Sequence, residues 1–99
     1  MENGAWVSHL ALAETVWVLT AVYELDSRSI VTTIEMLLNH RSLVLEEPEV
    51  VSNALQQFRR SPALGFSDCL LLEMARKAGH LPLGTFDRGL GRLPGTERL

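Results

Sequence analysis

One cysteine in 99 residues rules out an intrachain disulfide and any cysteine-rich zinc site. That residue, Cys69, sits in the apolar run CLLLEMA, so it is expected as a buried core thiol rather than a nucleophile. Positive charge is not in excess: the formal net charge is -3. The chain as a whole exerts no nonspecific pull on nucleic acid, and any such binding needs a local patch. Arg59, Arg60, Arg88, Arg92 and Arg98 can supply one, or can be ordinary surface arginines. No apolar run is long enough to span a bilayer, and the longest, LALAETVWVL, is interrupted by Glu14. The N-terminus lacks a basic leader followed by an apolar core, so no secretion signal is expected and a reducing cytoplasm fits best. Phosphate-loop, dinucleotide and zinc-protease signatures are missing. GLGRLPG is rich in glycine but lacks the strand–turn–helix setting of a nucleotide site. Aspartate is scarce, with Asp26, Asp68 and Asp87 the only three.

Against these absences stands a hydrophobic content of 46%, enough for a folded core in a single domain over residues 1–99. AWVSHL, from Ala5 to Leu10, partly alternates and predicts a short buried strand. From Leu12 to Leu25 the period changes. Leu12, Val16, Leu19, Val22 and Tyr23 share a helical face that Trp17, Val18 and Leu25 widen, which predicts a helix buried on much of its surface. Asp26 or Ser27 can cap a second helix striped by Ile30, Val31, Ile34, Leu37 and Leu38 and closed at Asn39 and His40. SLVL is a second strand. Glu46 and Glu47 before Pro48 open a third helix, with Val50, Val51, Ala54, Leu55 and Phe58 inward and Arg59 and Arg60 at its end. Pro62 and Gly65 break the chain, and a fourth helix opens at Ser67 or Asp68 and stops at Gly79. HLPLGTF predicts a strand ending at Asp87, with Pro82 barring it from a central, doubly bonded position. A glycine-rich loop and a small last strand from Thr96 to Leu99 follow. The order predicts an α/β sandwich with a small, mostly parallel sheet.

Ligands of such sheets gather beyond the carboxyl ends of the strands. Glu14 follows the first strand, Asp68 opens a helix and Asp87 ends a later strand. Together the three would repel one another unless a cation such as Mg²⁺ offset their charge. A cation there would activate a water toward a phosphodiester and stabilise the leaving oxygen. Each acid also has a plainer reading. Asp68 can be a helix cap, Asp87 a turn residue, and Glu14 a partner of an arginine or of solvent. Thr85, two residues before Asp87, shares its face in an extended segment and can hydrogen-bond an acid or a water. His9 and His40 are candidate general bases that nothing places beside these acids, and His80 belongs to a helix-to-strand turn; structural or surface roles are expected for all three.

The blocks VSHLALAETVWVL, FSDCLLLEMARKAG and LGTFDRGLGRLPG, in that order, resemble the PIN domain, and most closely the toxin of bacterial VapBC-type toxin–antitoxin pairs. The resemblance runs from about Gly4 to Leu99. It implies a PIN-like three-layer sandwich and a metal-dependent endoribonuclease that uses Mg²⁺ or Mn²⁺. Carried over by motif, the metal-binding acids are Glu14, Asp68 and Asp87, with Thr85 as the hydroxyl neighbour in the catalytic site. RNA is the implied substrate and a cognate antitoxin the implied partner, with no membrane involved. A full PIN domain also opens with an acidic strand in a DTN-like motif followed by one or two helices, and Met1, Glu2 and Asn3 do not supply it. The chain is therefore expected to behave as an N-terminally truncated domain. Neighbouring strands should be separated by a gap, apolar faces exposed, and activity reduced or absent. Compensation is expected through homodimerisation, domain exchange or a changed strand order. The competing reading is a non-catalytic PIN-like module that dimerises or binds an antitoxin.

Overall fold

The computed structural model describes residues 4–85 and 89–99. Strand β1 (Ala5–Val7) leads into helix α1 (His9–Ala21), then α2 (Ser27–Leu38), β2 (Leu43–Leu45), α3 (Pro48–Arg60), α4 (Phe66–Ala78), β3 (Leu83–Thr85), a 3-10 turn (Leu90–Arg92) and β4 (Thr96–Arg98). The expected order of strands and helices is present. The 3-10 turn, which forms inside the glycine-rich tail, was not expected.

Local chemistry sets the boundaries. Ser8 accepts a hydrogen bond from the Ala11 N–H at 3.0 Å and starts α1 at His9, so the strand expected to reach Leu10 stops at Val7. Asp26 caps α2 through the Ser29 N–H at 2.8 Å. Pro48 occupies the first turn of α3, where its missing N–H costs nothing. Gly79 ends α4 at φ +78°, a left-handed conformation that disfavours any side chain. Gly4 lets β1 meet β2, because a Cβ there would lie 2.5 Å from the Ser42 carbonyl oxygen.

The Asp26 cap has a pH consequence. Backbone and side-chain hydrogen bonds from Ser29 hold its carboxyl below the usual range. This contribution is present above the unfolded-state value of about 3.9 and is lost as pH falls through the lower folded value. Asp26→Asn keeps an acceptor and removes the charge. Urea midpoints measured from pH 5 to pH 2 should therefore fall less steeply for that variant than for the parent.

The strand pairs are parallel, Ala5↔Leu43 through Val7↔Leu45 and Leu83↔Thr96 through Thr85↔Arg98. They do not join into one small sheet, and the strands are separated as the resemblance implies. β1–β2 and β3–β4 are separate two-stranded sheets, and β1 pairs with no strand but β2 among the described residues. The core lies between the helices instead. Ile30 and Ile34 of α2, Val51, Ala54 and Phe58 of α3, Phe66, Cys69 and Leu70 of α4, and Leu12 and Val16 of α1 form one buried cluster. Phe58 and Phe66 meet edge to face with centroids 6.1 Å apart. Leu72 and Leu90 are also buried but lie outside that cluster.

Two burial expectations are corrected. β1 is not a buried strand: Ala5 and Trp6 are exposed. Helix α1 is not buried around most of its girth, since only His9, Leu12 and Val16 are buried on it. Its apolar residues run nearly all round, but α2 and α4 cover one side alone. Trp17 is 64% exposed and Leu10 69% exposed, with Val22 and Tyr23 also outside. No described helix is long and apolar enough to cross a membrane.

Candidate functional site

Glu14 projects from α1 one turn from both Leu10 and Trp17, so the carboxylate interrupts an exposed apolar stripe. With Ala11, Thr15, Val18 and Leu19 it lines a shallow open depression. Its hydroxyl neighbour Thr15 is tied to the Ala11 carbonyl at 2.9 Å.

Asp68 is the third residue of α4 and is half-buried. Gly65 caps this helix without a side chain of its own, and the acid sits in the first turn, where the helix dipole favours negative charge. Its own N–H donates to the Gly65 carbonyl at 3.1 Å. A Cβ at Gly65 would come within 3.8 Å of Asp68 Oδ2. The next residue is Cys69, fully buried as expected; burial first, and the charges of Asp68 and Glu73 second, push its thiol up to about 11. A thiol held that high is inert near neutral pH.

Helices α1 and α4 pack against each other, so Glu14 and Asp68 are carried by neighbouring elements. Thr85 ends β3, half-buried, and its carbonyl accepts from the Leu99 N–H at 2.8 Å. Asp87 and Arg88 lie outside the described residues. Glu14, Asp68 and Asp87 all carry carboxylate oxygens, the donors that a hard dication such as Mg²⁺ or Mn²⁺ takes.

Arg59 pairs with Glu35 and lines a groove between α2 and α3 with Arg28. Arg60 lines a different groove with Glu73 and Arg76. Arg92 and Arg98 are exposed in the C-terminal segment.

The histidines hold a surprise. His40 Nδ1 accepts from the Ser42 N–H at 3.0 Å, and His80 is exposed after α4, both as expected. His9 instead lies buried against Glu46, with Glu47 close by. Among the described residues these form the one group of three potential ligands whose donor atoms all fall within 4.8 Å of one another. Nothing in the spacing signals it, because 37 residues separate His9 from Glu46. The parallel pairing of β1 with β2 brings them together, since His9 follows one strand and Glu46 the other.

A family model described as the PIN domain matches residues 1–95. No curated protein and no solved structure matches the chain.

Proposed function

The chain belongs to the PIN domain family, and on that premise we propose that it is a toxin-type endoribonuclease, with Glu14, Asp68 and Asp87 as its metal ligands and Thr85 beside them. PIN domains are generally metal-dependent nucleases acting on nucleic acid. The observation that carries the reading is the match across 1–95 together with an acid in the first turn of α4, packed beside the helix that bears Glu14. Bound Mg²⁺ or Mn²⁺ would supply Lewis acidity at the scissile phosphate and lower the pKa of a water. The chain's own part is to hold three negative charges together. The α4 terminus lowers that cost at Asp68, and Thr85 offers a hydroxyl to orient an acid or a water.

Activity of the isolated chain is expected to be low. Glu14 is solvated on an open face, and a solvated carboxylate is a loosely positioned ligand. A single-stranded RNA incubated with the chain and Mn²⁺ or Mg²⁺ tests the proposal. Slow internal cleavage that EDTA abolishes is the expected result; no cleavage above the EDTA control at high enzyme concentration contradicts it.

The second reading, a non-catalytic module that associates through α1, is favoured by the exposed stripe of Leu10, Trp17, Val22 and Tyr23 beside Trp6. A second copy is the occupant proposed, because an isologous contact needs only this one patch and β1, which precedes α1, pairs with no strand but β2 among the described residues. Covering the stripe would also desolvate Glu14, so the two readings meet on one helix. Sedimentation velocity should show a dimer that Trp17→Glu dissociates. A monomer at tens of micromolar rejects self-association and leaves a cognate antitoxin as the alternative occupant.

A further inference from the structure

We propose that His9, Glu46 and Glu47 form a second metal site, a transition-metal clip that joins the carboxyl ends of β1 and β2 and takes a borderline dication such as Zn²⁺. It is distinct from the all-oxygen set of Glu14, Asp68 and Asp87 and does not depend on the nuclease reading.

The imidazole decides the matter. His9 is 4% exposed. Its Nε2 lies 2.8 Å from the Glu46 carbonyl oxygen, and a carbonyl only accepts, so Nε2 carries the proton. In the neutral ring Nδ1 is then a bare lone pair. It is buried, and it is the one buried side-chain nitrogen or oxygen without a hydrogen-bond partner among the described residues. A buried, unsatisfied acceptor is costly unless something binds it. Glu46 Oε1 stands 3.7 Å away and is itself an acceptor. Two acceptors at that separation call for a cation between them. With metal–nitrogen and metal–oxygen bonds of about 2.1 Å, tetrahedral donors lie roughly 3.4 Å apart.

The surroundings fit. A ligating histidine usually donates its other N–H to a carbonyl or carboxylate, which fixes tautomer and ring orientation; here the Glu46 carbonyl does so. Glu46 is positioned by the same oxygen that faces Nδ1, which accepts from the His9 backbone N–H at 2.8 Å. Glu47 supplies the third oxygen from an exposed position. Its one described ion pair is with Lys77 at 3.6 Å, and Lys77 has Glu49 as an alternative partner. Glu47 can therefore turn inward without stranding the lysine. One nitrogen and two carboxylates, with open positions for water, make a site for a borderline ion and a poor one for Mg²⁺.

The test uses the full chain, carrying Asp68→Asn so that the carboxylate set is weakened, with Zn²⁺ as the probe. Nitrogen-15 spectra should show Nδ1 of His9 shifting on addition of one equivalent while Nε2 keeps its protonated signature. Thermal denaturation should shift upward with Zn²⁺ concentration. Glu47→Gln, at an exposed position, should weaken binding by about tenfold or more without changing the circular dichroism spectrum. His9→Gln should abolish binding; if that variant fails to fold, Glu47→Gln carries the test alone. An Nδ1 resonance unmoved by Zn²⁺, a proton shared between Nδ1 and Glu46 in its place, or Zn²⁺ affinity unchanged in Glu47→Gln overturns the proposal.

Discussion

Asp68→Asn is expected to lower metal-dependent RNA cleavage by about 10²-fold or more, in the range that removal of one preorganised electrostatic group produces. The substitution keeps the shape of the side chain and removes its charge and half of its ligating capacity. The fold should survive it. Asp68 is half-buried at the start of α4, and asparagine keeps the shape and an acceptor oxygen there. The loss in kcat/KM should therefore come with a thermal midpoint lowered by only a few degrees, the cost of one charge at a helix N-terminus, and raising Mn²⁺ should restore part of the rate if the lesion is in ion affinity. Equal cleavage by the variant and the parent would remove Asp68 from the site.

Phe66→Ala is the largest stability change expected. Phe66 is 1% exposed, begins α4 and packs edge to face on Phe58. Truncating a buried aromatic costs about 3–5 kcal/mol. A domain of this length has roughly 5–15 kcal/mol in total. The melting midpoint should fall by more than about 12 °C. Function should fall with it, because Phe66 stands two residues before Asp68 and fixes the turn that carries that acid. A midpoint lowered by less than about 5 °C would show that the α3–α4 contact is not the keystone of the core.

Much of this was legible in the residues themselves. Asp26, Pro48 and Gly79 mark helix ends through chemistry confined to one turn, and all three act where expected. Cys69 was readable as a core thiol from its apolar neighbours. Asp68 was placed at a helix opening by the break at Pro62 and Gly65. The exposure of α1 was not legible in its own periodicity, because an apolar circumference records which residues prefer burial and not which neighbours are present to bury them; only the family resemblance implies exposed apolar faces. Trp17 and Tyr23 look like core in the string and stand in solvent in the fold. The separation of the two sheets is not written in the strands themselves, since three-residue strands carry too little pattern to fix their partners, and only the family resemblance implies a gap between them. The cluster of His9 with Glu46 and Glu47 depends wholly on the β1–β2 register and has no trace in local spacing.

The two metal proposals differ in donor chemistry, and one diffraction experiment separates them. Crystals of the full chain grown in manganese, with data collected at the manganese edge, should show an anomalous peak shared by the carboxylates of Glu14, Asp68 and Asp87. Side chains of those three that point into separate regions with no common peak, within one copy or across two, would contradict the nuclease assignment.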